Sequence, residues 1–221
     1  MNAFKNKFEF KIFTQKSFVI TIILILLSPC ALFLPKEYFF ENSLFEKLQI
    51  IILALGFLSN LIFLFKIKHS KNIKNLWLSI LPIWLILIAR ELSWGRAFFL
   101  EEIGPHGPEF FSLKDLWFGP YVYPILVISA FLIIFFLCRS IHKLNDNEKL
   151  CISLIDFTFA IVFIILATTF FEKIVILSLK PYAMQLEEYL ELIAYWSLYS
   201  GSIFAMKSHK TKTQQILNSS N

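Results

Sequence analysis

The octet Ala89-Arg90-Glu91-Leu92-Ser93-Trp94-Gly95-Arg96 decides how the rest of the chain reads. It closes the apolar run Leu76-Trp77-Leu78-Ser79-Ile80-Leu81-Pro82-Ile83-Trp84-Leu85-Ile86-Leu87-Ile88. Extended to Trp94, that run reaches the roughly 20 residues a membrane-spanning helix requires. Arg90 and Glu91 then fall in its last turn and a half. At such depth an ionisable side chain is costly and faces protein or a wet cavity. On a continuous helix Glu91 and Trp94 share a face, as do Arg90 and Trp94, and Gly95 suits a left-handed helix end. Interfacial anchoring accounts for Arg90, Trp94 and Arg96, because tryptophan and arginine favour the headgroup level and long cationic chains snorkel. A carboxylate does not snorkel far, so Glu91 needs another explanation.

Working outward, the 221 residues are 57% hydrophobic and 17% charged, with long uninterrupted apolar runs. This is a membrane composition, and no polar segment is long enough to bury a soluble core. Six runs predict an all-α, polytopic helical bundle of six transmembrane helices, at about 18–34, 48–65, 76–94, 121–138, 150–171 and 188–206, forming one integral membrane domain over residues 1–221. Pro29 predicts a kink in the first span and Pro35 a stop. Phe4, Phe8 and Ile12 share a helical face among Lys5, Lys7, Lys11 and Lys16, which fits a basic interfacial helix or a solvated basic tail. Leu27-Ser28-Pro29-Cys30 departs from a lipoprotein cleavage box at Pro29, so the first helix reads as uncleaved. Cys30, Cys138 and Cys151 show no metal-motif spacing.

Charge sets the orientation. Fourteen of the 21 Lys and Arg lie in the N-terminal tail, Lys66–Lys74, Arg139–Lys149 and the C-terminal tail. The alternate segments carry the other seven, against 12 of the 16 acidic residues. Short Lys/Arg-rich loops stay cytoplasmic, so both termini are placed inside. Topology and anionic lipid account for the net charge of +5, and no nucleic-acid partner is called for. The remaining histidines, His69, His142 and His209, fall in inner basic segments and read as solvated.

The longest outer loop runs from Gly95 to Pro120 and holds Glu101, Glu102, His106 and Glu109. Gly104, Pro105, Gly107 and Pro108 argue against regular structure across 104–108. Ser112-Leu113-Lys114-Asp115 resembles a capping box, opening a short helix over 113–118 that lies on the outer leaflet. His106, with Glu101, Glu102 and Glu109, is a candidate metal ligand, but no HExxH-like spacing accompanies it, and it reads first as a surface-loop histidine.

Candidate chemistry gathers at the outer helix ends. Thr168 and Glu172 share a face near the end of the fifth span, and Glu188, Glu191, Tyr195, Tyr199 and Ser202 form one stripe on the sixth. Glu91, Glu172, Glu188 and Glu191 can converge at one depth beside Arg90, as candidates for acid–base work, cation binding or proton transfer. The alternative is an interhelical network with Arg90, Arg96 and Lys173 that fixes packing. Helix N-termini favour Glu187 and Glu188 in any case, and Tyr195 and Tyr199 read first as ordinary helix packing. Arg90, Trp94, Arg96 and Tyr195 are the candidate substrate-binding residues. Asp156, inside the fifth span, is expected to face protein.

Arg90-Glu91-Leu92-Ser93-Trp94-Gly95-Arg96 resembles the Glu-x-Ser-Trp-Gly signature of uncharacterised multi-spanning bacterial membrane proteins. Glu187-Glu188-Tyr189-Leu190-Glu191-Leu192 is similar to their later acidic motif, although the Gln-Arg that often follows Trp-Gly is here Arg96-Ala97. The resemblance implies a bacterial inner membrane and brings no activity or cofactor. Three functions fit. The first is a binding or accessory protein whose outer carboxylate/arginine pocket holds a lipid, ion or membrane-protein partner. The second is an enzyme acting on a lipid or lipid-linked substrate at the outer leaflet, with Glu91 or Glu188 as base and Arg90 and Arg96 on a phosphate. The third is a small ion or proton-coupled transporter using Asp156, which lacks the paired broken helices typical of such folds.

Overall fold

The computed structural model describes residues 8–12, 15–40, 43–67, 70–104, 107–144, 150–171 and 182–219, and these are mostly helical. Helix α1 (Gln15–Leu27) tightens into 3-10 winding over Ser28–Phe33. The kink expected at Pro29 takes this form, because proline at the start of the tighter stretch removes an α-helical hydrogen bond. Helix α2 covers Leu44–Lys66. Helix α3 (Lys71–Glu91) is capped by Ser70, whose hydroxyl accepts from Ile73 N at 3.1 Å. Helix α4 (Gly119–His142) opens on Pro120, which needs no partner for a missing N–H in the first turn. Helix α5 (Leu154–Ile165) continues as a π-helix over Leu166–Phe171, and α6 runs over Ala183–Ser219. Helices α2, α3 and α4 are long and apolar enough to cross a membrane, and Val19–Phe33 and Leu154–Thr169 are shorter apolar helices.

The bundle is built around α6. Every residue from Tyr189 to Tyr195 is buried, so all faces of the helix are covered there. Helices α1, α2 and α5 pack on it, α3 packs on α2, and α4 packs on α3. Three apolar clusters follow α6 along its length. Phe39, Phe45, Tyr189 and Ile193 lie nearest its N-terminus, Leu53, Trp84 and Tyr195 further along, and Leu64, Trp77, Leu150 and Met206 furthest. At the other extreme, α4 buries only Gly119 and Ser140.

Several expectations are corrected. Phe8–Lys11 is not helical but forms a strand, β1, paired in parallel with a strand at Leu150–Ser153. The latter therefore delays the start of the fifth helix to Leu154. The alternation Phe8-Glu9-Phe10-Lys11 carries a period of two, which competes with the helical face and here prevails. On either side of 105–106, which lie outside the described residues, the chain forms two antiparallel strands, β2 (Leu100–Gly104) and β3 (Gly107–Phe110). Gly104 and Gly107 stand at the strand ends, and Pro108 faces Ile103 in a two-stranded sheet whose strands are both edges, where a missing N–H is tolerated. With these, the Leu150–Ser153 strand is β4. The helix expected over 113–118 is a single 3-10 turn, Leu113–Asp115, where Ser112 Oγ accepts from Lys114 N at 3.4 Å. Trp117 is 82% exposed.

Candidate functional site

Helix α3 ends at Glu91, three residues short of Trp94. Ser93 (φ 46°), Trp94 (φ 59°) and Gly95 (φ 91°) then form a left-handed run. Gly95 adopts this freely, whereas for Ser93 and Trp94 it is a sparsely populated conformation held by the surrounding structure. The reversal takes Trp94 off the face it would share with Arg90 and Glu91. Its ring lines a cleft of about 270 Å³ between α3 and α4, with Leu85, Ala89, Val122 and Leu126. Arg96 follows in the same turn, half-buried.

Arg90 and Glu91 meet α6. Arg90 Nη1 donates to Glu91 Oε1 at 2.9 Å and to the Tyr195 hydroxyl at 2.5 Å, and Arg90 Nη2 donates to Glu191 Oε1. The Tyr195 hydroxyl donates in turn to Glu91 Oε1 at 2.5 Å. Glu191 and Tyr195 stand four apart on α6 and so share a face. Glu91, Glu191 and Tyr195 are 6%, 4% and 2% exposed, while the Arg90 side chain keeps 34% exposure. One turn before Glu191, Glu188 is held from α2. Gln49 Nε2 lies 2.9 Å from both the Glu188 carbonyl oxygen and Glu188 Oε2. Glu46, three residues before Gln49, is also buried. Arg90 on α3 thus holds Glu91 and Glu191, while Gln49 on α2 holds Glu188 one turn away on α6.

Of the candidates, Arg90, Glu91, Glu191 and Tyr195 meet directly, and Glu188 lies beside them on the same stripe of α6. Tyr195 exceeds its reading as a packing residue, because its hydroxyl reaches two charged partners. Tyr199 does pack, with its ring 5.9 Å from that of Trp196. Glu187 and Glu188 lose their helix-end explanation: α6 starts at Ala183, so both lie beyond the first turn, where the helix dipole acts. Asp156 is 2% exposed and faces α6, where its Cβ lies 3.2 Å from the position a Cβ on Gly201 would take. Thr168 Oγ1 donates to Ile164 O at 2.9 Å, back into its own helix. Glu172, Lys173 and His106 lie outside the described residues, and Glu101, Glu102 and Glu109 are exposed on β2 and β3.

Sequence reading passed over Gln49. Its signal was present, since an amide in an apolar run, like Asn60 further along the same helix, faces protein for the same reason a charge does. No protein-family model, curated protein or solved structure matches the chain.

Proposed function

We propose that this chain is an integral protein of the bacterial inner membrane, with six spans and both termini cytoplasmic, that binds or supports a partner, and that the Arg90 cluster locks its outer end. One observation carries the lock. Both terminal nitrogens of Arg90 are committed to buried groups, Glu91, Tyr195 and Glu191. A phosphate-binding arginine needs that fork free for bidentate contact. Inside the bundle the same fork ties the last turn of α3 to the central helix. The six-span topology is supported by the three apolar helices long enough to cross, the two shorter ones, and a central helix whose polar groups lipid does not reach. The Glu-x-Ser-Trp-Gly resemblance supports the bacterial inner membrane.

A second reading draws on the surplus of carboxyls. Glu188 is held by an amide and not by Arg90, so it is chemically distinct from Glu91 and Glu191 and suits acid–base work on a lipid-linked substrate. Comparing cells with and without the chain separates the two. Unchanged headgroup and glycan species, together with a stoichiometric partner in the detergent-solubilised protein, are expected of the binding reading. A changed lipid species that Glu188→Gln reproduces, at normal abundance, would replace it with the enzyme.

A further inference from the structure

The least covered helix, α4, does not close against α3. Between them lies a cleft of about 660 Å³, lined on α3 by Asn75, Leu78, Ser79 and Pro82 and on α4 by a stripe running from Ser129 to Lys143. Ser129 also borders the smaller cleft that holds Trp94, so the two clefts adjoin along the α3–α4 seam, and the larger forms a groove. The sequence explains the gap. Where the two stripes face each other stand Ser79, Pro82, Ala89, Ser129 and Ser140, small or ring-closed side chains that leave space unfilled. The Ser79 and Ser140 hydroxyls approach to 3.5 Å at one end, and Ser79 Oγ donates to Asn75 O at 2.8 Å.

The groove is asymmetric along its length. Leu78, Pro82, Leu132, Ile133 and Phe136 make its walls apolar, whereas Asn75, Ser79, Ser140, Arg139 and Lys143 gather at one end. Arg139 and Lys143 are four apart and so share a face of the helix. Both are exposed, and among the described residues neither has a carboxylate partner. The positive-inside rule explains why cations sit at this end, but not why two of them edge an open apolar groove. From Ser129 to Lys143, α4 rises about 21 Å at 1.5 Å per residue, which exceeds one leaflet's half of a roughly 30 Å hydrocarbon core.

We infer that this groove binds an anionic phospholipid of the cytoplasmic leaflet, its acyl chain between α3 and α4 and its phosphate on Arg139 and Lys143. Charge complementarity selects the occupant. Basic pockets between transmembrane helices on that side recruit anionic headgroups, and the volume lies in the range of small-ligand sites. The binding rests on the membrane placement proposed above but not on the Arg90 lock.

The test uses the full chain in detergent, titrated with dioleoylphosphatidylglycerol or with dioleoylphosphatidylcholine while thermal stability is followed. The anionic lipid is expected to raise Tm more than the zwitterionic one. Replacing both cations, Arg139→Gln with Lys143→Gln, should weaken the apparent affinity for phosphatidylglycerol about thirtyfold, the equivalent of about 2 kcal/mol for two interfacial cations. The control pair Lys66→Gln with Lys71→Gln, also basic and exposed but off the groove, should keep it. Ser129→Trp should block the chain-binding part and lower affinity for both lipids. If that plug does not fold, the exposed Arg139/Lys143 pair still decides. Equal stabilisation by the two lipids, retained preference in the double variant, or the same effect from inorganic phosphate alone would overturn the proposal. So would a photo-crosslinker at Leu132 that captures a protein in cell membranes. Failure of the chain to enter nanodiscs at all would strike the membrane placement instead.

Discussion

Glu91 Oε1 accepts from both Arg90 and Tyr195, which makes single substitutions in this trio informative. Glu91→Gln removes one charge but leaves Arg90 paired with Glu191, so a loss of about 1–2 kcal/mol is expected. Arg90→Gln leaves Glu91 and Glu191 without their cation. Breaking a buried pair costs roughly 3–5 kcal/mol, and the partial exposure of Arg90 places this near the lower end. Detergent melting curves should therefore rank Arg90→Gln below Glu91→Gln, with membrane abundance falling in the same order. Equal, wild-type stability of both variants would reject the lock. Tyr195→Phe tests the hub separately. It keeps the ring in its cluster with Leu53 and Trp84 and deletes only the hydroxyl. A fall of about 1.5–3 kcal/mol is expected for a hydrogen bond to a charged group, and an unchanged Tm would show that Tyr195 merely packs.

The seam between α2 and α3 depends on one close approach. A Cβ built on Gly56 would stand 2.3 Å from Cζ3 of Trp84, inside contact distance, and Trp84 is itself fully buried. Gly56→Ala should therefore push the helices apart or force the indole off its rotamer, at about 1–3 kcal/mol. Trp84→Leu removes the obstacle while leaving a cavity. The double variant should consequently lose less than the two single losses combined, a coupling readable from a double-mutant cycle of melting temperatures. Strict additivity would show that the glycine is dispensable. Elements also record how far local signals carry. The apolar runs predicted the helix positions well, but ends set by tertiary contact were missed. The strand Phe8–Lys11 exists because Leu150–Ser153 lies beside it, and no window of residues 1–16 contains that partner.

At the scale of the whole molecule, helix polarity follows depth in the bundle. Helix α6 carries Glu191, Tyr195, Ser197, Ser200 and Ser202 at buried positions, with Glu188 half-buried, and other helices cover them. Helix α4 carries Phe131, Ile134 and Val127 outward, each at least 60% exposed, where hydrocarbon would meet them. The proposed topology yields a direct check. A reporter fused after Asn221 should be active as a cytoplasmic domain, and one inserted beside Gly107 should be active outside, since the Lys/Arg-rich segments stay in the cytoplasm. The reverse pattern would overturn the orientation, and matching locations would overturn the odd number of crossings between the two points.

The amino-acid order alone made the helical class legible, and with it the helices long and apolar enough to cross a membrane. Long apolar runs are themselves the free-energy requirement of a spanning helix, so they are readable without a fold. It also determined the stripe Glu188, Glu191 and Tyr195, because helical periodicity places those residues on one face whatever they meet. Tertiary structure decided what they meet. Arg90 lies about a hundred residues from Glu191, and only the packing of α3 across α2 brings its guanidinium to the central helix. Trp94 shows the same division in reverse. Its spacing put it beside Arg90, yet the left-handed run at Ser93–Gly95 swung it into the α3–α4 cleft. Backbone conformation at a helix end is set by the contacts on either side of it, and those contacts are not written in the local sequence.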